Sequence, residues 1–255
     1  MLERGKKGQL GVFVILAIVI VAIVIVFLLI RTPRLPGPED RATPQQYLQT
    51  CLESAVRPLL VELSAQGGYR EPLGFIVYND TKVPYLCYTS EFYKPCIIQQ
   101  PDVIQNFERS LNEVLTEETA RCMKTFEEEF EGRGYSVSRT TTSVNTSFVP
   151  GKLKIELRAP VTLSRDVSRT YQTFELSFKS ELYDLASIST SILDFESTYG
   201  DSETTSYLRY YPDLKIQKTK LSEGSKIYTV SNVVTKEEFT FATRSLAWGA
   251  GYPSQ

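Results

Sequence analysis

The chain carries few of the side chains on which catalysis commonly depends. None of its 255 residues is histidine, which excludes Ser-His-Asp and Cys-His nucleophile systems and histidine-containing zinc sites. The sequence also lacks a Walker loop, a Gly-x-Ser-x-Gly elbow and a Gly-x-Gly-x-x-Gly turn. Its 30 acidic residues leave a paired-carboxylate hydrolase open, but nothing in the sequence selects such a pair. We therefore expect no enzyme activity and no cofactor.

An acidic cluster, Glu127-Glu128-Glu129 with Glu131, lies late in a long predicted helix. Its carboxylates could bind a cation. The alternative is a solvated helix face, where negative charge is mildly unfavourable because it lies near the negative end of the helix dipole. We favour the solvated face and expect no metal site.

Four cysteines follow the apolar N-terminal segment: Cys51, Cys87, Cys96 and Cys122. They lack the paired short intervals of a four-cysteine zinc site, and their even number favours disulfides in an oxidising compartment. Four cysteines allow three connectivities. We prefer Cys51–Cys122, because both fall on apolar faces of predicted helices, together with Cys87–Cys96, which would clip the segment around them.

Residues 69–100 contain seven aromatic rings and three prolines without a clear period. An irregular segment of this length is either functional or held down by cross-links. Tyrosine is enriched where surfaces bind partners, so we expect a compact loop that exposes Tyr85, Tyr88, Phe92 and Tyr93 to a protein or glycan partner outside the cell. The alternative is that these rings cover the helices and belong to the core.

An uncharged apolar run extends from Leu10 to Ile30. As a helix it would span about 31 Å, which matches the hydrocarbon thickness of a bilayer. The sequence therefore predicts a cytoplasmic tail at 1–9, a transmembrane helix in contact with the lipid bilayer at 10–30, and a Pro-rich spacer at 31–43.

Basic residues are equally numerous on the two sides of this run, so charge does not set its orientation. The cysteines favour an oxidising compartment for the large domain. Two glycosylation sequons, at Asn79 and Asn145, agree with that placement. We expect a single-pass protein of the cell membrane with its large C-terminal domain outside the cytoplasm.

The sequence beyond the spacer predicts an α+β fold: a helical pair followed by antiparallel strands with one interspersed helix. Residues 44–134 would form a helical subdomain with the aromatic loop, and residues 135–255 a mostly β subdomain. The interspersed helix would turn six apolar residues to one face: Leu182, Leu185, Ile188, Ile192, Phe195 and Tyr199. A formal net charge of −2 makes nucleic acid an unsuitable partner.

The segment Lys6-Lys7-Gly8-Gln9 before the apolar run resembles the class III, prepilin-type signal of archaeal pilins. That resemblance implies cleavage between Gly8 and Gln9 and an apolar helix that becomes the core of a filament. The pilin pattern has Glu at the fifth mature position, where this chain has Phe13. The wider layout, with Cys51 before Gly67-Gly68-Tyr69 and Cys122 late in a long helix, resembles membrane-anchored exported proteins of small-genome archaea, which implies no particular activity.

We therefore expect a membrane-anchored extracytoplasmic structural or adhesion protein of the cell envelope. The first alternative is a pilin-like filament subunit, and the second is a carboxylate-dependent hydrolase. Homo-oligomers are compatible with the first two of these functions.

Overall fold

A computed structural model describes residues 15–24 and 43–248, and the chain separates into two units, 1–43 and 44–255. Residues 15–24 are helical, with exposed side chains. Within the two described ranges, no helix is both long enough and apolar enough to cross a membrane. The rest of the predicted 10–30 span, the tail, the Gly8-Gln9 site and nearly all of the spacer lie outside the described residues, so these predictions stay predictions.

The second unit contains four described helices. They are α1 (Pro44–Ala65), α2 (Val103–Gly132), α3 (Leu182–Tyr199) and α4 (Thr205–Tyr210). Helix α1 begins at Pro44, whose fixed φ suits a first helical position, and continues through Pro58. The predicted helical pair and interspersed helix are α1, α2 and α3, while the short α4 is additional.

Ten described strands complete the unit. They are β1 (Phe75–Tyr78), β2 (Thr81–Tyr88), β3 (Ile97–Ile98), β4 (Ser136–Arg139), β5 (Ser143–Val149), β6 (Lys152–Ser164), β7 (Ser168–Lys179), β8 (Leu214–Lys220), β9 (Ser225–Asn232) and β10 (Glu238–Arg244). The fold class is thus α+β, as predicted. The segment predicted as an irregular loop at 69–100 contains three of these strands.

The strands form two sheets. In the larger sheet the order is β1-β2-β10-β9-β8, with β3 also pairing with β2. Its β2–β10 pair is parallel, which departs from the predicted all-antiparallel arrangement. In the smaller sheet β4 and β5 pair with successive parts of β6. Strand β7 runs antiparallel to β6 with an irregularity between Arg158 and Val161, the stretch that contains Pro160.

Helices α1 and α2 lie antiparallel, and the core forms between them and the sheets. Near the start of α1, Tyr47 contacts Phe126 and Phe130 at ring centroid distances of 5.6 and 6.1 Å. Just beyond the end of α1, the carbonyl of Gly68 accepts a hydrogen bond from Asn106 of α2. One hydrophobic cluster includes residues of α1, α2 and α3 and of both sheets, so the segments 44–134 and 135–255 share a core.

The two long helices also cover the edges of the smaller sheet. Gln45 and Gln49 of α1 donate side-chain hydrogen bonds to carbonyls of β7. Glu108 and Asn112 of α2 accept hydrogen bonds from backbone N–H groups of β5, at 2.7 and 2.8 Å. Helix side chains thus occupy backbone groups that another strand would otherwise pair with.

Candidate functional site

Both predicted disulfides are present. Cys51 and Cys122 have Cα atoms 6.0 Å apart, and Cys87 and Cys96 have Cα atoms 5.4 Å apart. The first bond joins α1 to α2. The second links the end of β2 to the residue before β3, so residues 87–96 form a short covalently closed turn, called here the clamped loop.

The end of β10 and the segment that follows it hold the clamped loop in place. Three backbone hydrogen bonds join them: Thr89 N to Arg244 O (3.1 Å), Tyr93 N to Ala247 O (2.9 Å) and Leu246 N to Lys94 O (2.8 Å). Tyr93 has a φ of +59°, a left-handed conformation that is costly for a residue with a side chain. The bonds on both sides of Tyr93 keep its backbone in that conformation.

Four large rings are exposed together in this region. They are Tyr88 (38%), Phe92 (48%), Tyr93 (52%) and Trp248 (61%), called here the aromatic surface. Tyr93 meets Trp248 edge to face at 5.6 Å, and Phe92 lies 6.5 Å from Tyr93. The guanidinium of Arg244 lies 5.4 Å from the centre of the Phe92 ring. These contacts orient rings that would otherwise rotate freely, and they leave much of each ring open.

Tyr85 has a different position from the other three predicted contact residues. It is half-buried, its hydroxyl lies 2.8 Å from the hydroxyl of Ser225, and burial raises the pKa of the phenol. Its ring contacts Tyr88 edge to face at 5.0 Å. The half-buried ring of Tyr85 therefore packs against the exposed ring of Tyr88 and supports it.

Trp248 belongs to this surface although sequence reasoning did not include it. It lies 155 residues after Tyr93 in the chain, and only the pairing of β2 with β10 brings the two together. The one available signal was that Trp248 is the sole tryptophan of the chain.

A buried polar network lies beneath the clamped loop, centred on Glu196 of α3. This carboxylate has no exposed surface and accepts four hydrogen bonds: from Lys226 Nζ (2.8 Å), the Tyr228 hydroxyl, Ser202 N (2.9 Å) and the Thr243 hydroxyl (3.4 Å). Burial, together with the negative charge of Glu196, raises the pKa of Tyr228. Every partner thus donates to one buried carboxylate, which satisfies the hydrogen-bonding requirement of a buried charge.

Ser245 connects this network to the clamped loop. Its hydroxyl donates to the backbone carbonyl of Glu196 at 2.9 Å and accepts from the backbone N–H of Cys96 at 2.9 Å. The loop is therefore held by a disulfide on one side and by a buried polar network below.

Sequence reasoning missed this network, and its buried face of α3 is correct at Leu182, Leu185, Ile188 and Ile192 but wrong near the C-terminal end of the helix. Phe195 and Tyr199, predicted on the buried face, are exposed at 36% and 65%, and Glu196 faces the core instead. The available signal was that Glu196 falls at helical spacing on the same face as Leu185 and Ile192. The core accepts Glu196 because Lys226 and Tyr228 lie opposite it on β9.

The acidic cluster at the end of α2 takes part in surface ion pairs. Glu127 pairs with Arg139, and Glu129 pairs with Arg133, each at 2.8 Å. Glu128 lies 4.0 Å from Lys124. Over residues 15–24 and 43–248, no group of three or more acidic or cysteine side chains is placed to hold a metal ion.

The two predicted glycosylation sites differ in their surroundings. Asn79 lies in the exposed two-residue turn between β1 and β2, with a φ of +48°. Asn145 lies within β5 opposite Glu156, and the neighbouring Thr146 is buried with its hydroxyl bonded to the carbonyl of Glu108. The turn gives Asn79 the more open position, and glycosylation at both sites stays a prediction.

The geometry of this region suits binding by contact. Its rings are exposed, their backbone is fixed, and the ionisable groups beneath them are already hydrogen-bonded to one another. Comparison with protein-family models, curated proteins and solved structures returned no match.

Proposed function

We propose that this chain is a membrane-anchored extracytoplasmic structural or adhesion protein, and that its aromatic surface binds a protein or glycan partner outside the cell. The observation that carries the proposal is the set of four exposed rings on a backbone fixed by a disulfide and three hydrogen bonds. Aromatic side chains provide large contact area with few rotatable bonds, and a fixed backbone lowers the entropy lost on binding.

The position of the aromatic surface also favours contact with a partner beyond the cell's own membrane. The chain enters the folded unit at Pro44, where Tyr47 packs against Phe126 and Phe130 at the end of α2. The clamped loop precedes the start of α2 at Val103. Since α2 has 30 residues, its two ends are about 45 Å apart. A tether at Pro44 would leave the aromatic surface at the far end.

Truncation of the exposed rings tests the proposal. We expect Phe92→Ala or Trp248→Ala to weaken attachment of the full-length protein to isolated cell envelopes about 30-fold, which corresponds to about 2 kcal/mol for a central interface aromatic. Because both rings are exposed, thermal unfolding should change little. Binding would be measured by surface plasmon resonance with the detergent-solubilised protein immobilised.

Tyr199→Ala is the matched control, because Tyr199 is also an exposed ring but lies on α3, outside the aromatic surface. Its attachment should equal that of the unmodified chain. Equal losses in all three variants would show that any exposed ring contributes, and the aromatic surface would not be the binding site. A loss of about 3–5 kcal/mol in stability for Phe92→Ala or Trp248→Ala would instead assign those rings to the core.

A further inference from the structure

Strand β1 forms an unprotected edge of the larger sheet. Among residues 43–248 it pairs with β2 alone. Its sequence, Phe75-Ile76-Val77-Tyr78, contains no charged residue and no proline. Phe75 and Val77 are exposed at 38% and 63%, and the preceding Leu73 is fully exposed. An apolar edge strand of this kind offers backbone and side chains to another strand.

The edges formed by β5, β7 and β8 carry features that disfavour such pairing. In the smaller sheet, α1 and α2 bond to the outer backbone groups of β7 and β5. In the larger sheet, the opposite edge strand β8 carries three lysines: Lys215, Lys218 and Lys220. Charged residues, above all lysine, oppose edge-to-edge association. Strand β1 has neither kind of protection.

The register with β2 shows which backbone groups of β1 face outward. Tyr85 N donates to Gly74 O at 2.9 Å, and the pairing continues from Phe75 opposite Pro84 to Tyr78 opposite Thr81. Antiparallel strands alternate between residues that bond to the partner and residues that do not. Ile76 therefore bonds to β2, whereas the N–H and C=O groups of Phe75 and Val77 point away from the sheet.

We propose that β1 pairs antiparallel with β1 of a second copy of this chain, about a two-fold axis through Ile76. Phe75 of each copy then exchanges both backbone hydrogen bonds with Val77 of the other. The exposed side chains of these residues face each other in two equivalent aromatic–β-branched pairs, a favourable cross-strand combination. The strand is complementary to itself in register, in side-chain size and in its lack of charge, as an isologous contact requires.

Cysteine cross-linking of the full-length chain in native membranes tests the register. The four native cysteines are all in disulfides, so an introduced cysteine supplies the only free thiol. In the proposed pairing Ile76 faces Ile76 of the second copy as a non-hydrogen-bonded pair, with Cβ atoms about 4.5–5.5 Å apart. We expect Ile76→Cys to form a reducible dimer under mild oxidation.

Val77→Cys is the matched control, because the two Val77 residues would be diagonal neighbours about 7–8 Å apart. We expect it to give at least fivefold less dimer than Ile76→Cys. Stronger cross-linking at Val77 than at Ile76 would overturn the proposed register. Absence of cross-linked dimer at both positions would overturn the interface.

A charge substitution provides a test that does not depend on cross-linking. We expect Val77→Lys to raise the dissociation constant of the dimer at least tenfold, measured by light scattering of the full-length chain in detergent, because an edge lysine opposes strand pairing. Val61→Lys, at a similarly exposed valine on α1, should leave the dimer unchanged. A monomeric unmodified chain, or equal effects of the two lysines, would overturn the proposal. If Val77→Lys abolished binding of an unrelated strand-forming peptide but left self-association unchanged, β1 would pair with other strands and not with a second copy of this chain.

Discussion

The buried network around Glu196 gives a prediction whose size follows from the structure. Glu196 has no exposed side-chain surface, and its cationic partner Lys226 is only 8% exposed. Glu196→Gln removes the negative charge and leaves Lys226 buried beside the carbonyl of Gly200 and 3.6 Å from the carboxylate of Asp201. Removal of one member of a buried ion pair typically costs 3–5 kcal/mol. We therefore expect a loss of about 3–5 kcal/mol in the free energy of unfolding.

The assay is urea unfolding of the full-length protein in detergent, followed by circular dichroism. For a domain of about 200 residues, a loss of that size also lowers the melting temperature by about 6–20 °C. The control is Glu53→Gln, which breaks an exposed pair with Arg57 and should cost about 0–1 kcal/mol.

A second substitution separates charge from packing. Adding Lys226→Met to Glu196→Gln removes the buried cation that has lost its nearer carboxylate and keeps only Asp201, so part of the lost stability should return. If Glu196→Gln alone costs under 1 kcal/mol, no more than the exposed pair, the reasoning fails and the network is not what supports the clamped loop.

Three further predictions concern backbone, pH and cross-links. Gly200→Ala should destabilise the domain by at least 1–2 kcal/mol more than Gly151→Ala in urea titrations. Both glycines have positive φ, but of the two only Gly200 would place its new Cβ against a side chain, 2.2 Å from Leu246. Partial burial alone would raise the pKa of Asp201, but hydrogen bonds from two lysines and the charge of a third lower it to about 2. The stability that Asp201 contributes should be complete above about pH 4 and decline as the pH falls through about 2. The urea midpoint of Asp201→Asn should lack this pH-dependent contribution over the same range. Replacing both Cys51 and Cys122 by Ala should cost about 4 kcal/mol by chemical unfolding, against about 2.6 kcal/mol for loss of the Cys87–Cys96 bridge. The Cys51–Cys122 bridge contributes more because it closes a longer loop in the denatured chain.

The features that the sequence predicts well are those encoded locally. Helices α1 and α2 each show an apolar period of three to four residues, and α1 begins at Pro44 while α2 begins two residues after Pro101. The strand with its irregularity near Pro160 shows a period of two. The pairing of Cys51 with Cys122 followed from the apolar faces of the two helices on which they lie. In each case the informative residues are close in sequence or share one helix face.

The features that it did not predict depend on residues far apart in the chain. The parallel β2–β10 pair joins Tyr85 to Ala242, and no local pattern specifies that partner. Trp248 reaches the aromatic surface only through this pair. Glu196 could be assigned to the core only by knowing that Lys226 and Tyr228 would lie opposite, since an unpaired carboxylate there would be too costly to bury.

The Cys51–Cys122 bond has a mechanical consequence. When tension is applied between Pro44 and a ligand held at the clamped loop, the seven residues before Cys51 extend first, and the load then passes through the disulfide into α2. The shorter covalent path onward is the 26 residues from Cys122 back to Cys96, which span at most about 90 Å when fully extended. Every residue after Cys122 lies off that path, so more than half of the folded unit bears no covalent load while the tether is stretched.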